Sequence, residues 1–402
     1  MQNKMTNLPQ GWEVKKLEEI ANIKGGKRLP KGENLLDNNT KFTYIRVADF
    51  QDNGTINLQN IKFINENTYN VLKNYKIYDD NLYISIAGTI GKSGIIPKEL
   101  NGAILTENAV KLEYIQNNIS NKFMYFFTLS NIFKTQIQTS TKIVAQPKLA
   151  ITRLKQIQIP LPPLKEQERI VGILDESFAK IDESIKILEQ DLLNLDELMQ
   201  SALQKAFNPL KDNAKENYKL PQGWEWKSLE EISENISAGG DKPKNCTESK
   251  TAKNQIPVYA NGVNNNGLVG YTDKATIIKP SLTISARGTI GFVCIRKEPY
   301  FPIVRLISLI PCENILCLHY LYFCLNFFIA KGEGSSIPQL TIPKFKSLQI
   351  PLPPLKEQEQ IAKHLDFVFE KTKALKELYT KELKDYEELK QSLLNKAFKG
   401  EL

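Results

Sequence analysis

The chain repeats itself, and this duplication limits the folds that it can adopt. The segment LPQGWE at residues 8–13 returns at 220–225, and QIPLPPLKEQE at 158–168 returns at 349–359. A closing motif, SALQKAF, returns as SLLNKAF, while the offset between the copies falls from 212 to 191. An identity of eleven consecutive residues in conserved order indicates a tandem duplication with deletions inside the second copy. We therefore predict two structural units built to one plan.

Each copy consists of a module, a proline-rich gate and a helical stretch. Short β-like runs, separated by Gly, Asn and Asp turns, predict strands at 42–47, 82–87, 282–286 and 303–310. The gate, IPLPP, fixes an extended segment that a helix cannot continue through. We expect a long helix to follow the gate in both copies.

Apolar residues after each gate recur in steps of three and four, which is typical of a coiled-coil seam. About forty residues at about 1.5 Å each would form a rod about 60 Å long. A lone amphipathic helix would expose its apolar stripe, so we expect the two rods to pack against each other. Thr372 interrupts the stripe of the second rod. The residues predicted to pack there, or against a partner, are Leu174, Phe178, Ile181, Ile185, Leu188, Leu192, Leu195, Leu365, Val368, Leu375, Leu383 and Leu393.

Positive charge is concentrated in the modules. Of the net +8 on 402 residues, residues 1–163 carry +8 and residues 207–354 carry +5. Residues 164–206 carry −5, and residues 355–402 are neutral. Two basic modules joined by rods suit contacts with DNA phosphates at two places. Ordinary solvated lysines are the alternative explanation.

Most candidates for DNA contact lie in loops. The glycine loops KGGKRLPKG and SAGGDKPKN occupy matching places in the two copies and suit contacts with phosphates or a groove. A surface turn without a partner is the alternative. Base contacts are expected from polar loop side chains in the major groove. The predicted DNA-binding residues are Lys24, Lys27, Arg28, Arg46, Lys92, Lys242, Lys244, Arg287 and Arg305.

The motif GTIGKS at 88–93 resembles part of a phosphate-binding loop but does not fit it. Ile86 stands where that loop needs its first glycine, and the second copy has Phe292 in place of the lysine. We expect a tight glycine turn between strands, with Lys92 or Arg287 available to a ligand phosphate.

A second cluster, Cys312, Cys317, His319 and Cys324, resembles a metal site but matches no zinc spacing. It lies in or beside an apolar helix, and the first copy has no counterpart, so we expect buried core cysteines and no metal. The chain has only two histidines, which leaves little material for acid–base catalysis. We predict no catalytic residues.

Composition excludes other classes of protein. The hydrophobic content of 41% is enough for a packed core, and the longest apolar run, at 320–330, is too short to span a membrane. The N-terminus lacks the apolar region of a secretory signal. Five cysteines, an odd number, argue against a disulfide framework, and we expect a cytoplasmic protein.

The motifs LPxGWE, LEEI, IPLPPLKEQ, GTIG and LLNKAFKGEL together resemble the specificity subunit of type I restriction–modification enzymes, over nearly the whole chain. The resemblance implies an α+β fold with pseudo-two-fold symmetry, in which two mixed α/β target-recognition domains are separated by two long antiparallel coiled-coil helices. The implied divisions are the recognition domains at 1–160 and 220–350, a central helix at 161–208, a linker at 209–219 and a distal helix at 351–402.

The same resemblance implies a non-catalytic DNA-recognition subunit. Each domain would read one half of an asymmetric bipartite site, and the helices would set the spacer and dock the methyltransferase and restriction subunits. The implied partners are double-stranded DNA, two methyltransferase (modification) subunits and restriction subunits, with no membrane. No cofactor is expected in this chain, whereas S-adenosylmethionine, ATP and Mg are expected on the partner subunits.

Two alternatives stay open at this point. One is a recognition subunit of a type II-like methylase–nuclease. The other is a coiled-coil scaffold that binds protein and has no DNA specificity.

Overall fold

The chain divides into two compact units that each contain parts of both repeats. Unit 1 comprises Met1–Leu188 and Lys381–Leu402, and unit 2 comprises Glu189–Thr380. The predicted linker at 209–219 lies outside the residues that the structure describes. This computed structural model describes residues 8–38, 40–140, 148–207, 220–329 and 340–402.

The first repeat begins with short strands and ends with a 44-residue helix. Its strands are β1 (Glu13–Lys16), β2 (Ala21–Gly25), β3 (Thr43–Ile45), β4 (Lys62–Phe63), β5 (Lys76–Ile77), β6 (Leu82–Ser85), β7 (Ser93–Ile95), β8 (Ala103–Leu105), β9 (Ala109–Tyr114) and β10 (Gln158–Leu161). Its helices are α1 (Leu17–Ile20), α2 (Glu66–Leu72), α3 (Asn121–Leu129), α4 (Asn131–Ser140), α5 (Ile151–Lys155) and α6 (Leu164–Phe207).

The second repeat follows the same order with fewer elements. Its strands are β11 (Glu225–Ser228), β12 (Ser233–Ala238), β13 (Ile256–Tyr259), β14 (Leu268–Thr272), β15 (Ser281–Ile284), β16 (Val293–Arg296), β17 (Phe301–Pro302), β18 (Ile307–Pro311) and β19 (Gln349–Leu352). Its helices are α7 (Leu229–Ile232), α8 (Leu318–Phe328), α9 (Ile342–Lys346) and α10 (Leu355–Ala397).

The sheets of the two units have matching topologies. The larger sheet has the antiparallel order β2-β9-β6-β7 in unit 1 and β12-β18-β15-β16 in unit 2. The smaller sheet has the order β4-β3-β8-β5 in unit 1 and β14-β13-β17 in unit 2. Each contains one parallel pair, which is β3 with β8 in unit 1 and β13 with β17 in unit 2. The strands predicted at 42–47, 82–87 and 282–286 are confirmed in shortened form.

The strand predicted at 303–310 is only partly right. Strand β18 begins at Ile307, because Val304 and Arg305 have φ angles of 54° and 60°, which no β-strand accommodates. Residues 303–306 instead form a turn between β17 and β18, although their composition is that of a strand.

The proline gate is the second strand of a two-stranded antiparallel sheet in each unit. Val14 of β1 lies opposite Pro160 of β10, and Trp226 of β11 lies opposite Pro351 of β19. Proline is tolerated there because an edge strand can lack an N–H donor. Helix α6 therefore starts three residues after its predicted start at 161, and helix α10 starts four residues after its predicted start at 351.

A buried glutamine fastens α6 to the module of unit 1. The Gln167 side chain accepts a hydrogen bond from the backbone N–H of Ser120 at 2.8 Å. Its amide group donates to the carbonyl oxygens of Asn118 at 3.1 Å and Pro162 at 2.9 Å. One side chain thus satisfies three backbone groups at the start of the helix.

Gln358, the repeat counterpart of Gln167, makes the same three bonds in unit 2. It accepts from the N–H of Cys317 at 2.9 Å and donates to the carbonyl oxygens of Ile315 and Pro353 at 2.9 and 2.8 Å. The two glutamines explain why the repeated motif continues beyond the prolines into LKEQE.

The closing motif of each repeat is buried in the module of the other repeat. In unit 1, the ring centroid of Phe398 lies 5.1 Å from that of Phe123 and 5.5 Å from that of Phe127. In unit 2, the ring of Phe207 lies 5.6 Å from that of Tyr320, which occupies the position matching Phe123. Both phenylalanines are almost completely buried. Each module core is therefore completed by chain from the other repeat.

The two long helices run antiparallel within each unit. In unit 1, Arg169 donates to the carbonyl oxygen of Leu402 at 2.8 Å, and Lys390 pairs with Asp182 at 2.6 Å. The start of α6 thus lies beside the end of the chain, and later residues of α6 lie beside earlier residues of α10, as in an antiparallel pair. In unit 2, Leu203 near the end of α6 shares a core with residues near the start of α10.

The residues predicted to pack differ in burial. Thr372 does not interrupt the seam, because it is 2% exposed and its hydroxyl donates to the carbonyl oxygen of Val368 at 2.7 Å. Leu375, by contrast, is 38% exposed. The buried ones are Leu174, Ile181, Leu188 and Leu365. The half-buried ones are Phe178, Ile185, Leu192, Leu195, Val368, Leu383 and Leu393.

We expect Phe398→Ala and Phe207→Ala to destabilise different units. Truncating a buried phenylalanine costs about 3–5 kcal/mol, so Phe398→Ala should speed amide hydrogen exchange in β6 and β9, and Phe207→Ala in β15 and β18. The control is Phe367→Ala, since that side chain is 59% exposed. Equal loss of protection in both units from either core variant would contradict the assignment of each phenylalanine to one core.

Candidate nucleic-acid interface

The glycine loop of unit 2 is tied to the turn that precedes β18. The N–H of Arg305 donates to the carbonyl oxygen of Gly239, and the N–H of Val304 to that of Gly240, both at 2.8 Å. The N–H of Gly239 donates to the carbonyl oxygen of Leu306, also at 2.8 Å. The loop that carries the predicted contacts Lys242 and Lys244 thus starts beside Arg305.

Asn261 ties a third loop to the same turn. Its side-chain amide donates to the carbonyl oxygen of Val304 at 2.6 Å, and its oxygen accepts from the N–H of Ala286 at 2.9 Å. Arg287 follows Ala286, so Arg287 and Arg305 each lie one residue from a hydrogen bond to Asn261. We call Lys242, Lys244, Arg287 and Arg305 the cationic loop cluster.

The turn that carries Arg305 is strained. Val304 and Arg305 are in the left-handed region, which costs about 1–2 kcal/mol for a residue with a side chain and is rare for a β-branched one. A Cβ atom on Gly239 would lie 2.6 Å from the backbone nitrogen of Ile303, so only glycine allows this approach. Two neighbouring loops, one with Gly239 and Gly240 and one with Asn261, hold the strained backbone in place.

The charged side chains of the cationic loop cluster are exposed to solvent. All four side chains are exposed. Within the described ranges, Lys242, Lys244 and Arg305 have no ion pair or side-chain hydrogen bond, whereas Arg287 does have a partner. Three of these cations are therefore available to an anionic ligand without the loss of an existing contact.

The corresponding turn in unit 1 shares the glycine hydrogen bond of this frame, but its Glu107 and Asn108 do not have the positive φ angles of Val304 and Arg305. The N–H of Gly26 donates to the carbonyl oxygen of Ala109, and the N–H of Lys27 to that of Leu105, both at 2.9 Å. A Cβ atom on Gly26 would lie 2.1 Å from the carbonyl oxygen of Thr106. The strand pairings place Glu107 and Asn108 where unit 2 has Val304 and Arg305.

The side chains at these matching positions also differ between the units. In unit 1, Arg28 is paired with Glu107 at 2.7 Å. Partial burial acts to raise the pKa of Glu107, but hydrogen bonds from Arg28, the backbone and Thr106 lower it overall. The hydrogen bond to Glu107 in turn raises the pKa of Arg28. The pair is charged at neutral pH, so Arg28 must leave Glu107 before it can contact a phosphate.

The other predicted contacts of unit 1 are mostly engaged. Lys24 pairs with Glu113 at 2.5 Å, and Lys92 pairs with Asp52 at 2.7 Å. The ammonium of Lys27 is exposed and lies 5.9 Å from the ring centroid of Tyr75.

Arg46 is held more firmly than these lysines. Its guanidinium donates to both carboxylate oxygens of Asp49, at 2.6 and 3.1 Å, and to the carbonyl oxygen of Asn60 at 3.1 Å. Asp49 is buried, and its hydrogen bond to Arg46 raises the pKa of the guanidinium. Contact between Arg46 and DNA stays a prediction, and it would require this pair to open.

The GTIG motif forms the predicted tight turn. In unit 1, the backbone carbonyl oxygen of Ser85 accepts a hydrogen bond from the N–H of Gly91 at 2.9 Å. In unit 2, the backbone carbonyl oxygen of Ser285 accepts one from the N–H of Gly291 at 3.0 Å. The first glycine of the motif, Gly88, has a φ of 74°, which explains the glycine. That the turn binds a phosphate stays a prediction.

The cysteines of unit 2 vary in burial. Cys324 is fully buried, and burial raises the pKa of its thiol well above the usual value, so it packs as an apolar side chain. Cys312 and Cys317 are half-buried, so the expectation of buried core cysteines is wrong for these two. His319 lies 2.7 Å from Asp366. Among the described residues, no group of three potential metal ligands comes together.

The sequence predictions did not include Asn261 or Glu107. Asn261 stands in the segment VYANGV, where nothing distinguishes it from an ordinary loop asparagine. Glu107 is 79 residues from Arg28, so their pairing has no local signal. The buried glutamines Gln167 and Gln358 did have a signal, because their motif is identical in both copies.

We expect Val304→Gly to stabilise unit 2. Glycine relieves the left-handed strain, and little apolar contact is lost because Val304 is 50% exposed, so the gain should be about 1 kcal/mol, or about 2–4 °C in Tm. Val269→Gly is the matched control, since Val269 is 41% exposed in strand β14 and its replacement should lower Tm. A lower Tm for Val304→Gly in calorimetry would show that the turn is unstrained.

None of the described helices is both long and apolar enough to cross a membrane.

Comparison with known proteins agrees with the repeated architecture. A model of the type I restriction–modification DNA specificity domain matches residues 9–192 and again residues 221–385. A protein named as a type I specificity subunit in Mycoplasma pneumoniae is 30% identical over 353 residues, which cover 87% of each chain. The StySPI specificity subunit of Salmonella potsdam is 23% identical over 436 residues, covering 98% of this chain and 90% of that one.

Solved structures share the fold. A chain from a study of complex assembly and conformational transition in a type I restriction–modification system matches with a TM-score of 0.80 at 20% identity, covering 98% of this chain and all of that one. The HsdS subunit of Thermoanaerobacter tengcongensis matches with a TM-score of 0.63 at 21% identity, over the full length of both chains. The chain belongs to the family of type I restriction–modification DNA specificity subunits, which recognise DNA and are not themselves catalytic.

Proposed function

We propose that each module of this chain reads one half of an asymmetric, bipartite DNA site. The observation that carries the proposal is a pair of turns that the strand register matches and that present different side chains in the two modules. Unit 1 presents Asn108 beside the pair Arg28–Glu107, and unit 2 presents Arg305 beside unpaired lysines. Different donors and acceptors select different bases, so the two half-sites should differ.

The long helices would set the spacer and dock the partner subunits. Their antiparallel seam buries one apolar stripe within each unit, but other apolar side chains on the helices stay exposed. In unit 1 these include Ile187 and Leu389, at 55% and 45% exposure. In unit 2 they include Phe367 and Leu378, at 59% and 56%. Contiguous apolar patches mark surfaces that bind protein, and these side chains would contribute to such patches for methyltransferase and restriction subunits.

The partners would supply the chemistry. In the assembled complex, S-adenosylmethionine would serve adenine methylation, and ATP and Mg would serve translocation and cleavage, all bound by partner subunits. This chain would contribute the choice of DNA sequence.

The proposal is tested by mapping methylated adenine in a host that lacks other modification systems. We expect co-expression of this chain with its methyltransferase subunit to yield one split motif with two different halves, and expression of either protein alone to yield none. A motif that is continuous or has two identical halves would contradict the proposal. A chain that supports no methylation and binds DNA with no salt dependence would favour the protein-binding scaffold.

The exposed lysines of unit 2 give a separate prediction. Lys242→Ala with Lys244→Ala should lower the slope of log affinity against log salt by about two, because each removes about one phosphate contact. The matched control is Lys180→Ala with Lys384→Ala, two exposed helix lysines in unit 1 that pair with neighbouring glutamates. Titration of labelled duplex DNA at several salt concentrations measures the slope. An equal change in both double variants would show that charge, and not this loop, determines binding.

A further inference from the structure

We propose that Arg305 is the residue through which the second module recognises a guanine in its half-site. The inference rests on the proposed function, and it assigns one specificity-determining side chain and one base. Three observations support it: the way the backbone is held, the freedom of the guanidinium, and the contrast with the matching position of unit 1.

The backbone of Arg305 is fixed before any ligand arrives. Its own N–H is bonded to Gly239, and its neighbour Val304 is bonded through its N–H to Gly240 and through its carbonyl oxygen to Asn261. A residue with a φ of 60° is held there only when its surroundings determine it. The side chain therefore projects from a rigid base, which reduces the entropy lost when it forms directed hydrogen bonds.

The guanidinium of Arg305 is free, whereas other arginines of the two modules are engaged. Arg28 and Arg46 are paired with carboxylates. Arg296 is buried, lies 3.6 Å from the ring centroid of Tyr259 and donates to Thr283 at 3.0 Å. Arg305 is exposed and has no such partner within the described ranges.

Chemistry favours guanine as the partner of this group. A planar guanidinium can donate two parallel hydrogen bonds to O6 and N7 of guanine in the major groove, a pairing that no other base offers in the same form. Lys242 and Lys244 begin on the adjoining loop and suit the phosphates, which require only positive charge. The rigid, forked donor and the flexible point charges thus have separate roles.

Unit 1 differs at this position. Asn108 matches Arg305 in the strand register. The backbone carbonyl oxygen of Asn108 accepts a hydrogen bond from the N–H of Ile86 at 2.8 Å. The neighbouring Glu107 neutralises Arg28. The first module thus presents no free guanidinium at the matching position, so the effect of Arg305 should be confined to one half-site.

The experiment maps adenine methylation by the full chain assembled with its methyltransferase subunit. We expect the wild-type motif to require guanine at one position of one half, and Arg305→Ala to accept any base there while the other half is unchanged. Loss of a bidentate pair should reduce the preference for guanine by about ten- to a hundredfold. Arg305→Lys, which keeps the charge without the fork, should relax the same position and retain affinity for non-specific DNA.

Lys279→Ala is the matched control. It removes one cation at the opposite end of strand β15 from Arg287, where Lys279 pairs with Glu234, and it should leave the motif unchanged. A wild-type assembly that methylates no split motif would sink the proposed function and this inference together. A split motif that both Arg305 variants leave intact would overturn the inference alone. Uniform loss of methylation at all sites, with the same motif in Arg305→Lys, would show a phosphate contact and would also overturn it.

Discussion

The burial of a closing-motif phenylalanine in each module core is the contact on which the rest of the architecture depends. Phe398 packs on Phe123 and Phe127 in unit 1, and Phe207 packs on Tyr320 in unit 2. Because each phenylalanine comes from the other repeat, neither repeat completes its own core. Burial of one phenylalanine side chain is worth a few kcal/mol, a large share of the stability of a domain. Each module core is therefore built from residues of both repeats.

The buried glutamines and the proline gates fix how each long helix leaves its module. The gate forms a strand that pairs with the first strand of the repeat, and this gate strand ends at the two prolines that follow it. The glutamine then forms hydrogen bonds with three backbone groups at the start of the helix. A buried side chain with all its bonds made resists rotation, since any movement leaves backbone groups unsatisfied. The same device in both units explains why this stretch stayed identical while the loops diverged.

The loops diverged on a frame that main-chain bonds hold. Gly26 and Gly239 approach the neighbouring backbone too closely for any side chain, so these positions are restricted. The residues beside them bond through backbone atoms, which leaves their side chains free to vary. Asn108 and Arg305 occupy matching positions in the strand register and differ in backbone conformation and in side-chain chemistry. Under the proposed function, recognition changes there without a change of fold.

The sequence by itself determined the duplication, the order of strands, gate and long helix, and the family, because repeated identities and apolar periodicity are local signals. It missed the turn at 303–306, since those apolar residues are typical of a strand and their positive φ angles are imposed by Gly239, Gly240 and Asn261 from distant loops. Only the tertiary structure decided which cations are paired and which are free, and which repeat completes which core. These outcomes depend on residues far apart in the chain, whose proximity no local pattern encodes.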